Sequence, residues 1–182
     1  MTSRVEQERS PAERYRAFRG SQGGPALAAF EVGYPFGLDA FQRTACKALE
    51  QGRGVLVAAP TGAGKTVVGE FAVHLALRAG RKCFYTTPIK ALSNQKYADL
   101  VARHGADQVG LLTGDTTING GADVVVMTTE VLRNMLYSGS GALRGLAHVV
   151  MDEVHYLADR SRGAVWEEVI IHLPEDVQVV SL

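Results

Sequence analysis

The segment Ala59-Pro60-Thr61-Gly62-Ala63-Gly64-Lys65-Thr66 sets a lysine and a hydroxyl side by side behind two glycines. An apolar run, Gly54-Val55-Leu56-Val57-Ala58, leads into it, and a helical pattern leads out. A glycine-rich turn between a strand and a helix N-terminus aims several backbone N–H groups at one point and so makes an anion cradle. In that setting the spacing is that of a phosphate-binding loop. Lys65 then reaches the β- and γ-phosphates of a nucleotide, and the Thr66 hydroxyl becomes a ligand for Mg²⁺. Gly62 and Gly64 allow torsions and a close approach that a Cβ would obstruct. Pro60, Thr61 and Ala63 complete the loop. The usual pattern begins on glycine, and Ala59 stands there instead.

A second group, Asp152-Glu153-Val154-His155, ends the apolar run His148-Val149-Val150-Met151. A carboxylate at the C-terminal end of a strand lies on the sheet edge where α/β proteins bind ligands. Asp152 suits Mg²⁺, held through water, and Glu153 suits the polarising of an attacking water. The same pair also fits an acidic start to the next helix. Phosphoryl transfer asks for positioning and charge neutralisation more than covalent chemistry. Lys65, Asp152 and Glu153 are therefore the candidate catalytic residues.

The elements that must hold these groups follow from patterning. Asp39 predicts a helix cap, with the helix running through Glu50. Gly54–Ala59 predicts a buried strand, and Thr66–Ala79 a helix stopped by Gly80. Strands are predicted at Cys83–Thr86, Val109–Leu112, Val124–Met127, His148–Met151 and Val177–Leu182. Helices are predicted over Ala91–His104 and from a Thr129 cap through Tyr137. Strands apolar at consecutive positions are buried on both faces. Helices between them argue for βαβ units, giving an α/β, doubly wound, mostly parallel sheet.

The 182 residues fit one domain with a tail. Residues 1–24 read as a mobile tail, with Pro11–Arg19 a candidate short helix, and the domain fills 25–182. The final run is a core strand with nothing after it, so the domain is expected to be truncated there. Nineteen basic residues balance nineteen acidic ones, which excludes a binder driven by bulk positive charge. Any nucleic-acid contact must come from a placed site. Cys46 and Cys83 have no metal spacing and read as reduced thiols of a cytoplasmic protein. No apolar run approaches the ~18–20 residues that span a bilayer. Trp166, Met127 and Met151 read as core, and Lys96 and Arg133 as solvated helix residues.

Further segments join the two constellations in a fixed order. They are Phe36-Gly37-Leu38-Asp39-Ala40-Phe41-Gln42, Thr87-Pro88-Ile89-Lys90-Ala91-Leu92-Ser93-Asn94-Gln95-Lys96, Thr113-Gly114-Asp115, Thr128-Thr129-Glu130-Val131-Leu132-Arg133, and Arg162-Gly163 with Trp166-Glu167-Glu168. With the phosphate loop and Asp152–His155, the chain from Tyr34 to Leu182 resembles the DEVH-box helicases of superfamily 2. Alanine at position 59 is itself that family's form of the loop. The segment after His155 is similar to the superkiller-type, exosome-associated RNA helicases, and most of all to their actinobacterial members.

The resemblance implies a RecA-like P-loop NTPase domain, the first of two, with ATP and Mg²⁺ bound between them. The family's Ser-Ala-Thr motif and the arginine fingers of the second domain are absent from this sequence. Gln42 would read adenine, because an amide pairs with N6 and N7 and suits ATP over GTP. Phe36 would stack on the base, or is simply core. Pro88, Lys90, Asn94, Gln95, Thr113, Gly114, Thr128 and Thr129 would meet the backbone of single-stranded RNA or DNA without reading sequence. Taken singly, each also reads as a cap or turn residue. His155 would couple the ATP site to the second domain. Three functions follow as expectations: the ATP-binding part of an RNA helicase, a DNA helicase of the same superfamily, or a nucleotide-dependent interaction module.

Overall fold

Helices alternate with short Val-rich strands along the chain, and the computed structural model, which describes residues 24–158 and 163–182, arranges them as a seven-stranded sheet between two helical layers. The proposed tail through Gly23, with its Pro11–Arg19 helix, and Arg162 lie outside the described residues. Helices α1 (Pro25–Glu31) and α2 (Ala40–Glu50) lead into β1 (Val55–Leu56). Then come α3 (Thr66–Arg78), β2 (Lys82–Thr87), α4 (Lys90–His104), β3 (Val109–Leu112), β4 (Thr117–Ile118) and β5 (Val124–Thr128). Helix α5 (Thr129–Tyr137), β6 (Leu146–Met151), α6 (Gly163–His172) and β7 (Gln178–Ser181) complete the domain.

Strand order is β1-β7-β6-β2-β5-β3-β4, parallel except for the β3–β4 pair. The continuous apolar runs are explained by their two-sided burial. Cys83, Tyr85, Val124, Val126 and Val150 face the layer of α1 to α4. Phe84, Val125, Met127, Val149 and Met151 face α5 and α6, where Trp166 and Val169 are buried. Helix α3 is the most enclosed, with Val68, Phe71, Ala72, Val73 and Ala76 inaccessible. Gly80 and Gly105 follow helix ends at φ +60° and +88°, torsions that glycine adopts without a Cβ clash.

The doubly wound sheet agrees with the sequence expectation, but several local details differ. Gly54–Ala59 is not a buried strand. Only Val55 and Leu56 pair, with β7 as their sole neighbour among the described residues, and Leu56 is 69% exposed. Val57 adds one bond to the Ser181 carbonyl before the chain leaves for the phosphate loop. The cap of α5 is Thr128 rather than Thr129. Thr129 instead turns its buried hydroxyl onto the Thr87 carbonyl, at 3.3 Å. Helices α1 and α6 and the two-residue β4 were not expected. Helix α1 is fixed from outside itself, because Glu50 at the end of α2 accepts the Ala26 N–H at 2.8 Å.

Candidate active site

The parallel order gathers the carboxyl ends of β1, β2 and β6 along one edge of the sheet. The phosphate loop leaves β1 there and enters α3. Gly62 and Gly64 stand at φ +82° and +78°. At Gly62 the need is conformational, since a Cβ would meet nothing within 4 Å. At Gly64 space matters too, because a Cβ would lie 2.8 Å from Nε2 of Gln42.

Gln42 is buried, and both ends of its amide are engaged. Its Oε1 accepts the Asp39 N–H at 2.8 Å, closing the start of α2, and its Nε2 donates to the Gly64 carbonyl at 2.9 Å. It thus ties the α2 cap to the phosphate loop, a task that motif spacing alone does not reveal. Phe36 is 57% exposed and meets the Tyr34 ring edge-on at 5.4 Å, so it is not a core residue. Tyr34 in turn bonds Glu70 and Arg103, whose guanidinium lies 4.4 Å from its ring centroid.

Lys65, Thr66, Asp152 and Glu153 line one cavity of about 350 Å³. Its far wall is α4, through Gln95, Lys96 and Asp99. Lys96 therefore belongs to the cavity and is not merely a solvated helix residue. Asp152 is held at both oxygens: Oδ1 accepts the Glu153 N–H at 2.9 Å and Oδ2 accepts the Tyr85 hydroxyl at 2.8 Å. Burial, and secondly the Asp152 carboxylate, pushes the Tyr85 phenol well above its ordinary value, so it remains a donor. Glu153 adopts φ +61°, a left-handed torsion uncommon for a residue with a Cβ and often found at functional sites. Its Oε2 lies 3.2 Å from Nδ1 of the exposed His155.

The residues fit a triphosphate with a hard cation. The loop is open where phosphate must approach, and a hydroxyl and a carboxylate offer oxygen ligands beside it. No cluster of three or more His, Cys, Asp or Glu side chains suited to a metal occurs among the described residues. Mg²⁺ is usually held by one or two protein oxygens together with substrate phosphates, the kind of oxygen donor that Thr66 and Asp152 offer.

The residues expected to meet nucleic acid divide by exposure. Lys90, Asn94, Gln95 and Gly114 are exposed, and Thr128 is half-buried. Lys90 is paired, its ammonium 2.6 Å from Oδ2 of Asp115. Pro88, Thr113 and Thr129 are buried. The Thr113 hydroxyl donates to Asp115 at 3.1 Å, so Thr113 and Thr129 use their side chains to shape loops. Sequence reasoning missed Tyr85. The available signal was a phenol in a strand patterned for burial, since a buried tyrosine hydroxyl needs a partner.

Residues 39–182 match the DEAD/DEAH box helicase family model, and the chain belongs to that family. It is 73% identical over 156 residues to the probable helicase HelY of Mycobacterium leprae (strain TN), covering 86% of this chain and 17% of that protein. To the exosome RNA helicase MTR4 of Homo sapiens it is 54% identical over 149 residues, covering 82% of this chain and 14% of that protein. A solved structure of the Mycobacterium smegmatis helicase Lhr bound to ssDNA and AMP-PNP superposes with a TM-score of 0.67 at 29% identity, covering 90% of this chain and 25% of that one. The chain thus spans less than a fifth of the two curated relatives. No described helix is long and apolar enough to cross a membrane.

Proposed function

We propose that this chain is the ATP-binding part of an RNA helicase that couples ATP hydrolysis to movement along single-stranded nucleic acid and to unwinding. The observation that carries this is the shared cavity. Lys65 and Thr66, beyond the end of β1, and Asp152 and Glu153, beyond the end of β6, face it, and α4, with Lys90, Asn94 and Gln95 at its start, forms the far wall. One helix therefore borders both candidate sites.

In this reading the loop amides and Lys65 hold the β- and γ-phosphates of ATP, while Phe36 and Gln42 receive the adenine. Thr66 and Asp152 hold the cation, Asp152 through water. A bound Mg²⁺ supplies charge neutralisation on the phosphates. Glu153 orients the attacking water and takes its proton on a carboxylate oxygen, and His155 steadies Glu153. The exposed groups at the start of α4 grip the strand backbone. A second RecA-like domain of the same polypeptide covers the open side of the cavity and contributes the arginine fingers. Cys46 and Cys83 are free thiols in the interior, which suits a reducing compartment, and we assign the protein to the cytoplasm.

RNA is favoured over DNA because identity to the exosome RNA helicase, at 54%, exceeds the 29% to Lhr, whose structure holds ssDNA. The deciding experiment is ATP-driven strand displacement by the complete polypeptide on matched RNA and DNA duplexes. Faster displacement of the RNA duplex is expected. Displacement of DNA alone favours the Lhr-like reading, and ATP binding with no displacement of either leaves an interaction module.

A further inference from the structure

Tyr85 sits near the end of β2 with no exposed surface. Its hydroxyl reaches Oδ2 of Asp152 in the neighbouring chain segment after β6, while the Glu153 N–H holds Oδ1. Two donors on two different oxygens fix the plane of the carboxylate and leave each oxygen a free lone pair. Groups that orient a metal-holding carboxylate in this way set how well it binds. The Tyr85 ring has a contact of its own, since Lys96 Nζ stands 5.2 Å from its centroid. Lys96 lies on α4, one residue beyond Gln95, and lines the same cavity.

We propose that Tyr85 is the positioning residue for the cation-holding carboxylate: its phenol sets the orientation of Asp152, and Lys96, resting on its ring, ties that orientation to α4. The proposal rests on the nucleotide reading above. Tyr85 touches neither substrate nor cation and acts only through Asp152. A shift of α4 that lifted Lys96 from the ring would reach Asp152 without any contact between the two ligands.

The test measures ATP affinity of the complete polypeptide by calorimetry, in Mg²⁺ and in EDTA, for wild type, Tyr85→Phe and Lys96→Met. Tyr85→Phe keeps the ring volume and removes one hydrogen bond. The affinity gained on adding Mg²⁺ should shrink by about 10-fold in Tyr85→Phe, the lower end of the usual cost of losing such a partner. Affinity in EDTA should stay at the wild-type value. Lys96→Met leaves the core untouched and should shrink the same gain by about 2- to 5-fold. If Tyr85→Phe fails to fold, Lys96→Met decides alone. A Mg²⁺ gain that survives in every folded variant overturns the proposal. A wild-type complete polypeptide that binds no ATP under either condition defeats the nucleotide reading itself.

Discussion

The two ends of β2 and β6 bury polar groups in opposite ways. At the amino end Cys83 and His148 are register partners, both deep in the sheet. Neither ring nitrogen of His148 has a partner within hydrogen-bond distance, and the nearby Gln178 turns its Nε2 to the Leu49 and Arg53 carbonyls. Burial drives the His148 ring down to about 4, so it is neutral at ordinary pH. Burial likewise drives the Cys83 thiol far up. Toward the carboxyl end, further along β2 and just beyond β6, the Tyr85 and Thr86 hydroxyls and the Asp152 carboxylate all have partners. Burial silences titratable groups at one end, whereas at the other a bonded network keeps a carboxylate in place at a cavity wall. A site is marked by this wiring rather than by the presence of titratable residues.

The largest effect that could break this contrast concerns Glu153. Glu153→Gln in the complete polypeptide should lower ATP turnover by about 10²–10⁴, the usual value of a general base, and leave ATP affinity unchanged. Near wild-type turnover would take Glu153 out of the chemistry. Lys65→Ala should weaken ATP binding by about 2–5 kcal/mol, the cost of stripping a charged partner from an enclosed ligand. Calorimetry giving equal dissociation constants would separate the loop from the nucleotide.

The silent end is tested by acid. Below the ordinary histidine value of about 6.5 the unfolded chain takes up a proton that folded His148 refuses until about 4. Stability is therefore lost as pH falls through that window, by up to about 3 kcal/mol from this residue. His74 and His104, lowered mainly by burial, act in the same sense. Urea unfolding of wild type and His148→Leu at pH 7 and pH 5 isolates the contribution. Parallel losses in both proteins would show that His148 is not buried in the neutral form. The smallest effect belongs to the surface. Asp115→Asn releases Lys90 and should tighten single-strand binding by about twofold, an advantage that fades with added salt. Unchanged affinity at low salt would mean that Lys90 does not face the strand.

Legibility in the sequence followed the range of the interactions. The phosphate loop, the Asp39 cap and the Gly80 and Gly105 stops are local chemistry, and each stands where the spacing placed it. Doubly buried strands were legible because each carries its apolar run on consecutive residues. The extent of β1 was not, because Val180 and Ser181 of a distant strand set it. Asp152 and Tyr85 are 67 residues apart, and only the parallel register of β2 with β6 brings them together. The choice of Thr128 over Thr129 as cap turned on a carbonyl in another strand. Helix α1 depended on Glu50 in the same way.

The left-handed torsion at Glu153 has a consequence for anyone seeking a hardier version of this domain. An ordinary side chain held there costs the folded state about 1 kcal/mol, and glycine alone escapes that cost. Selection for heat resistance would therefore be drawn to Glu153→Gly. The survivors would be better folded, and they would lack the carboxylate proposed to orient water. At this position robustness and turnover pull against each other, so a screen for one must also assay the other.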